Sequence, residues 1–222
     1  LDSPQAENIR RTAPVSGVAR DEAFQFIYAD NLKLLEELGA RICWFSPIRD
    51  RHLPEGIQGV LLCGGYPELY AGELSGNDSM KRELREALRQ GMPCMAECGG
   101  YMYLSEEMED MEGRVWPMVG AVPGNVFRTG KLGRFGYICL EALQEGVLGG
   151  GCGTLRGHEF HYFDSTDCGS AFHAQKPNRK RGWDCIHGTG TMMAGFPHLY
   201  YYACPELAVE FLEKCCEYGG TK

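Results

Sequence analysis

The apolar positions of this 222-residue chain change their rhythm near residue 112. Before it, short runs that are apolar throughout alternate with stretches where apolar residues recur every three or four positions. "GVAR" (17–20), "RICWFSP" (41–47), "GVLLCGG" (59–65) and "PCMAEC" (93–98) are the runs, and they read as buried strands. "DNLKLLEELGA" (30–40) sets Leu32, Leu35 and Leu38 on one face, with Asp30 as candidate cap and Gly39 as stop. "DSMKRELREALRQG" (78–91) turns Met80, Leu84, Ala87 and Leu88 inward and ends at Gly91. Strands apolar on both faces, alternating with amphipathic helices, predict a mostly parallel sheet covered on both sides. Beyond residue 112, "GRVWPMVGAVPGNVF", "GRFGYICLEAL" and "TLRGHEFHYFDS" read as shorter, more exposed, antiparallel strands. "NRKRG" (178–182) reads as a solvated turn, and "CPELAVEFLEKCCEYGG" as a closing helix that starts at Pro205.

The first fifteen residues are polar and without periodicity, and are expected to be a linker or tail. Residues 16–219 are expected to form one domain. The chain opens on Leu1 rather than Met, which marks it as a fragment or a processed chain.

Composition narrows the class. A formal charge of −8 argues against nucleic acid as a partner, and no apolar run approaches the roughly 20 residues that would cross a membrane. Eleven cysteines without a C-x-x-C pair argue against a zinc ribbon or a disulfide framework, and point to a reducing cytoplasm. No metal-ligand pattern is present: His158 and His161 in "GHEFHY" stand three apart, not the four of a zincin helix, and strand periodicity would place them on opposite faces.

One thiol is set apart by its context. In "PCMAECGGYMYL" a strand runs into Cys98, two glycines and a helical stretch. A sharp strand-to-helix turn lifts its central side chain above the sheet and aims N–H groups at it, which favours a thiolate. Such sheets bind ligands at the carboxyl ends of their strands, where Cys98, Gly64, Gly65 and the "RDEAF" loop (20–24) are all expected. These residues alone leave Cys98 open between a buried thiol on a βα turn and a nucleophile.

"GVARDEAFQFIYADNLKLLEELGARICWFSP", "GGYPELYA", "AECGGYMYL" and "LRGHEFHY", in this order, resemble the C-terminal glutaminase domain of the cobyrinic acid a,c-diamide synthases. These belong to the cobyrinate/cobyrate branch of the class I glutamine amidotransferases. The likeness covers residues 17 to about 215. It implies a flavodoxin-like three-layer α/β sandwich with a mostly parallel central sheet and additional antiparallel strands. By resemblance, Cys98 is the nucleophile, His198 the base, Gly65 and Gly99 supply the oxyanion hole, and Tyr66 and Gly100 contact substrate. Arg20, Asp21, His158 and His161 would lie toward the acceptor or a neighbouring domain, without a catalytic role. The family usually reads "SYLHLH" at the base, and class I relatives place Glu two residues after it. Here the segment is "GFPHLYYY" and that position is Tyr200, so a Cys–His dyad is the expectation.

The resemblance implies glutamine as substrate. It also implies an N-terminal ATP-binding synthetase domain or subunit that carries ATP and magnesium, with cobyrinic acid as acceptor. No G-x-x-x-x-G-K-[ST] occurs in this chain, which is expected to hold no cofactor of its own. Three other readings are open: a cysteine peptidase on the same fold, a silent binding module, and a glutaminase serving nickel sirohydrochlorin amidation.

Overall fold

The structure, a computed structural model, describes residues 2–220. Six strands form the central sheet in the spatial order β13 (His187–Gly188), β14 (Met192–Gly195), β4 (Cys94–Glu97), β3 (Gly59–Leu62), β1 (Val15–Ala19) and β2 (Arg41–Phe45). All neighbours are parallel except β13, which runs antiparallel to β14. The inner strands β3 and β4 are buried along their whole length, as their unbroken apolar runs predict. The edge strand β2 buries only Phe45 and leaves Trp44 exposed.

The core divides across this sheet. On one face lie α2 (Ala29–Glu37) and α6 (Pro205–Gly220), with Leu32, Leu35, Phe211 and Leu212 in one cluster. On the other lie α3 (Ala71–Gly76), α4 (Asp78–Arg89) and α5 (Gly99–Leu104), with Leu74, Met80, Leu84 and Tyr103 in a second. That is the three-layer α/β sandwich expected. Leu34 and Asn31 are also buried, so the inward stripe of α2 is wider than the three leucines named from the sequence. Ala87 is only partly buried. Asp30 does not cap α2; Tyr28 occupies the cap position without a side-chain bond, and Asp30 sits in the first turn, where its charge suits the helix dipole.

The first residues depart from the expected tail. Residues 4–12 form a helix, α1 (Pro4–Thr12), capped by Ser3, whose hydroxyl accepts the N–H of Ala6 at 3.1 Å. Two small contributions are enough: Pro4 favours the first turn, and Ala6 and Ile9, three apart, are fully buried against the rest of the molecule. Two apolar residues are too few to stand out as a period. Leu1 lies outside the described residues.

The rest of the chain builds two further sheets. Antiparallel strands β12 (Gly182–Cys185), β11 (Phe172–Gln175), β8 (Phe135–Ala142), β9 (Leu155–Phe160) and β15 (His198–Leu199) form one, in that order. The other is β10 (Phe163–Ser165), β7 (Asn125–Arg128), β5 (Glu107–Glu109) and β6 (Val115–Pro117), antiparallel except for the β5–β7 pair. No helix among the described residues is long and apolar enough to cross a membrane.

Candidate active site

Cys98 stands at the carboxyl end of β4 with φ 49° and ψ −108°, a conformation costly for any residue with a Cβ. Hydrogen bonds on both sides hold it there. Its N–H donates to Gly195 O at 2.9 Å, and its C=O accepts the Met102 N–H at 2.9 Å. The sheet ladder therefore continues to Cys98 and α5 begins at once, which is the elbow predicted from "ECGG".

The glycines around it do different jobs. A Cβ on Gly99 would lie 3.0 Å from the Gly65 nitrogen, so a side chain at position 99 would fill the space between these two backbones. The Gly99 N–H bonds toward the Cys98 sulfur. Gly65 lines the same cavity as Cys98. Gly100 does not: a Cβ there would collide with the Leu62 carbonyl. Its smallness seats α5 on β3, and it does not line the cavity, where the resemblance would place it. Tyr66 lines the cavity and is half exposed.

His198 reaches this cavity from the antiparallel sheet. It pairs across β15 and β9 with His158, and the two rings stack at 5.0 Å and 20°. Tyr28 meets the His198 ring edge-on at 5.7 Å, and its hydroxyl lies 3.1 Å from His158 Nε2. A Cβ on Gly64 would come within 2.7 Å of His198 Cε1, so glycine at 64 makes room for the imidazole. His198 Nδ1 is buried with no hydrogen-bond partner.

Two side chains from the parallel half clamp the residue after it. The Glu97 carboxylate accepts the Leu199 N–H. Asn31 donates to Leu199 O at 3.0 Å and accepts the Tyr201 N–H at 2.9 Å. No carboxylate comes from position 200; Tyr200 is half exposed. His198 is oriented by ring stacking and backbone instead.

The electrostatics leave Cys98 and His198 uncharged at rest. Burial, then the charge of Glu68, pushes the Cys98 thiol up to about 12; the Gly99 N–H works against them, and Glu159 and Glu97 add to the rise. Burial, then His158 and His161, lowers His198 to about 4. At pH 7 the pair is thiol and imidazole rather than an ion pair. Burial raises Glu97 to about 8 against the Leu199 N–H, and raises Glu68 to about 7.

The cavity measures about 320 Å³, at the small end of small-molecule sites. His158 and His161 both line it, so they do not face opposite ways. The reason is that β9 ends at Phe160 and strand alternation stops there. His161 donates from Nδ1 to Phe163 O at 2.6 Å, stacks on Phe196 at 4.0 Å, and sets Nε2 3.5 Å from the buried Glu159.

Arg20 and Asp21 are not in the cavity. Asp21 organises a loop, accepting Ser46 Oγ at 2.8 Å, the Ile48 N–H at 3.0 Å and the Ala23 N–H at 2.9 Å. Arg20 stacks over Trp44, and Glu22 pairs with Arg49. Among the described residues no three His, Cys, Asp or Glu side chains converge as a metal cage would require.

Sequence reading missed Tyr28, Asn31, Glu68 and Glu97. Two of these carried a signal. Glu97 is a charge inside an otherwise apolar strand, and Asn31 a polar residue on the leucine side of α2.

The CobB/CobQ-like glutamine amidotransferase domain family matches residues 17–203. Cobyrinate a,c-diamide synthase of Caldanaerobacter subterraneus is 41% identical over 203 residues, covering 90% of this chain and 45% of that protein. The Salmonella typhimurium protein of the same name is 40% identical over 199 residues, covering 88% and 43%. The chain thus spans about half the length of these curated relatives. Among solved structures, a glutamine amidotransferase shares the fold with a TM-score of 0.60 at 18% identity, over 92% of this chain and 98% of that one. PurLQS from Thermotoga maritima gives 0.59 at 15%, over 94% and 98%.

Proposed function

This chain belongs to the CobB/CobQ-like glutamine amidotransferase family, and from that premise we infer that Cys98 and His198 hydrolyse glutamine in the cavity they share. The observation that carries the reading is an elbow cysteine and a buried, neutral imidazole lining one small cavity beside glycine amides.

The Cys98 sulfur attacks the side-chain carboxamide carbon while its proton passes to His198. The neutral imidazole is the form able to accept it. The oxyanion is held by the N–H groups of Gly65 and Gly99, with the dipoles already in place before charge develops. Collapse breaks the C–N bond, and His198 returns the proton to the departing ammonia. Water, deprotonated by the same imidazole, then cleaves the γ-glutamyl thioester to glutamate and free thiol. Because burial keeps the resting thiol protonated, thiolate forms only in concert with attack.

The ammonia serves ATP-dependent amidation of cobyrinate in a longer protein or complex. Its synthetase part binds ATP and magnesium. The names and greater length of the relatives support this reading. Cys98→Ser in the complete synthase tests it. Glutamine-dependent amidation should fall roughly 10⁴-fold or more, while amidation with added ammonia continues. Equal loss with both nitrogen sources would overturn the ammonia-supplying role.

A further inference from the structure

Among the described residues, Glu68 is the one carboxylate that lines the cavity of Cys98. It sits on the short 3₁₀ turn Pro67–Tyr70, directly after Gly65 and Tyr66. The neighbouring buried carboxylates lie outside the cavity lining: Glu97 accepts the Leu199 N–H, and Glu159 sets one oxygen 3.5 Å from His161 Nε2 while its other oxygen is unpartnered. Apart from its own backbone N–H, Glu68 has no ion-pair or hydrogen-bond partner among the described residues, and no described lysine or arginine lines the cavity.

An unpaired carboxylate here works against the chemistry. After burial itself, Glu68 is the strongest influence raising the Cys98 thiol, and burial raises Glu68 too. A positive charge brought to Glu68 by the ligand offsets both effects. A free glutamine that presents its carboxamide to Cys98 carries its α-ammonium four bonds away, within the reach of one small cavity. Glutamine acylated at its α-nitrogen, as within a peptide chain, carries no such charge.

We propose that Glu68 is the specificity-determining residue of this site, binding the α-ammonium of free glutamine and thereby relieving the negative field on Cys98 only when that substrate is present. The proposal rests on the glutaminase reading above. It makes Glu68 both a selector and a gate. A ligand without an ammonium group leaves the carboxylate unpaired and the thiol hard to ionise.

The test compares the unsubstituted synthase with Glu68→Gln on two substrates, L-glutamine and glutaramate, which is glutamine lacking its amino group. The preference for glutamine, as the ratio of kcat/KM values, should fall roughly 10- to 100-fold, the scale of one charge-assisted hydrogen bond. The fall should lie mainly in the KM for glutamine. In the absence of substrate, iodoacetamide should alkylate Cys98 faster in the variant, because the opposing charge is gone. Glu68→Asp should restore part of the preference. Equal loss on both substrates, or an unchanged preference, would overturn the proposal and leave the glutaminase reading standing. An unsubstituted synthase that turns over no glutamine would overturn both.

Discussion

Cys98 and His198 arrive at one cavity from two unlike scaffolds. Cys98 ends β4, an inner strand paired along its length on both sides, and its strained backbone is held by bonds to Gly195 and Met102. His198 rides on β15, two residues long, at the edge of the antiparallel sheet. The parallel half places its residue mostly through near neighbours, a buried strand, a turn and two glycines, with one remote bond to Gly195. The antiparallel half depends on distant partners, Glu97 and Asn31, which stand 102, 168 and 170 residues from the groups they bind. Even the strand pairing needs a concession, since a Cβ on Gly157 would collide with the His198 carbonyl. A nucleophile can thus be built by a short motif, while its base is positioned by the folded whole.

Removing the base tests the second scaffold most severely. His198→Ala should cut glutamine turnover by roughly 100-fold or more, the scale of a lost general base. Normal turnover in that variant would shift the role to His158 or His161. Both line the cavity, whereas His187 points its Nε2 at Asp167 O, 2.9 Å away.

Loosening the clamp should have a smaller and different effect. Asn31→Ala leaves the Leu199 carbonyl and the Tyr201 N–H without partners, at a cost of about 2–4 kcal/mol in a denaturant titration. Glutamine turnover should fall roughly 10-fold or more because the imidazole is displaced. Alkylation of Cys98 by iodoacetamide in the native protein should change little. Equal damage to thiol reactivity would mean that the two halves are not separable in this way.

The smallest effect concerns Glu97 and shows itself through pH. Its carboxyl titrates near 8 in the folded chain, against an ordinary value of 4.5. The unfolded chain therefore gives up this proton first, and stability drains away as pH rises from about 4.5 through 8. Glu97→Gln keeps an acceptor for the Leu199 N–H and removes the titration. Its melting temperature should gain on that of the unsubstituted chain across this window and not below it. A constant difference at all pH values would show that Glu97 is already ionised in the folded chain.

The sequence by itself determined most of the parallel half, though not β14, the parallel strand beside β4. Apolar runs of four or five residues, helices with stops at Gly39 and Gly91, and the turn at Cys98 are all statements about near neighbours, where backbone sterics and burial decide the outcome. It also named His198, though only through resemblance, since nothing in "GFPHLYYY" sets that histidine apart physically. What the tertiary structure decided was the company these residues keep. It left Arg20 and Asp21 outside the cavity, and brought His158, His161 and Tyr28 into it. It turned Gly100 from a substrate contact into a helix seat, and folded residues 4–12 against the core on two apolar side chains. The reason is that a short edge strand has too few local bonds to fix its own position, so the packing of remote side chains fixes it, and remote packing leaves no periodic mark on the chain.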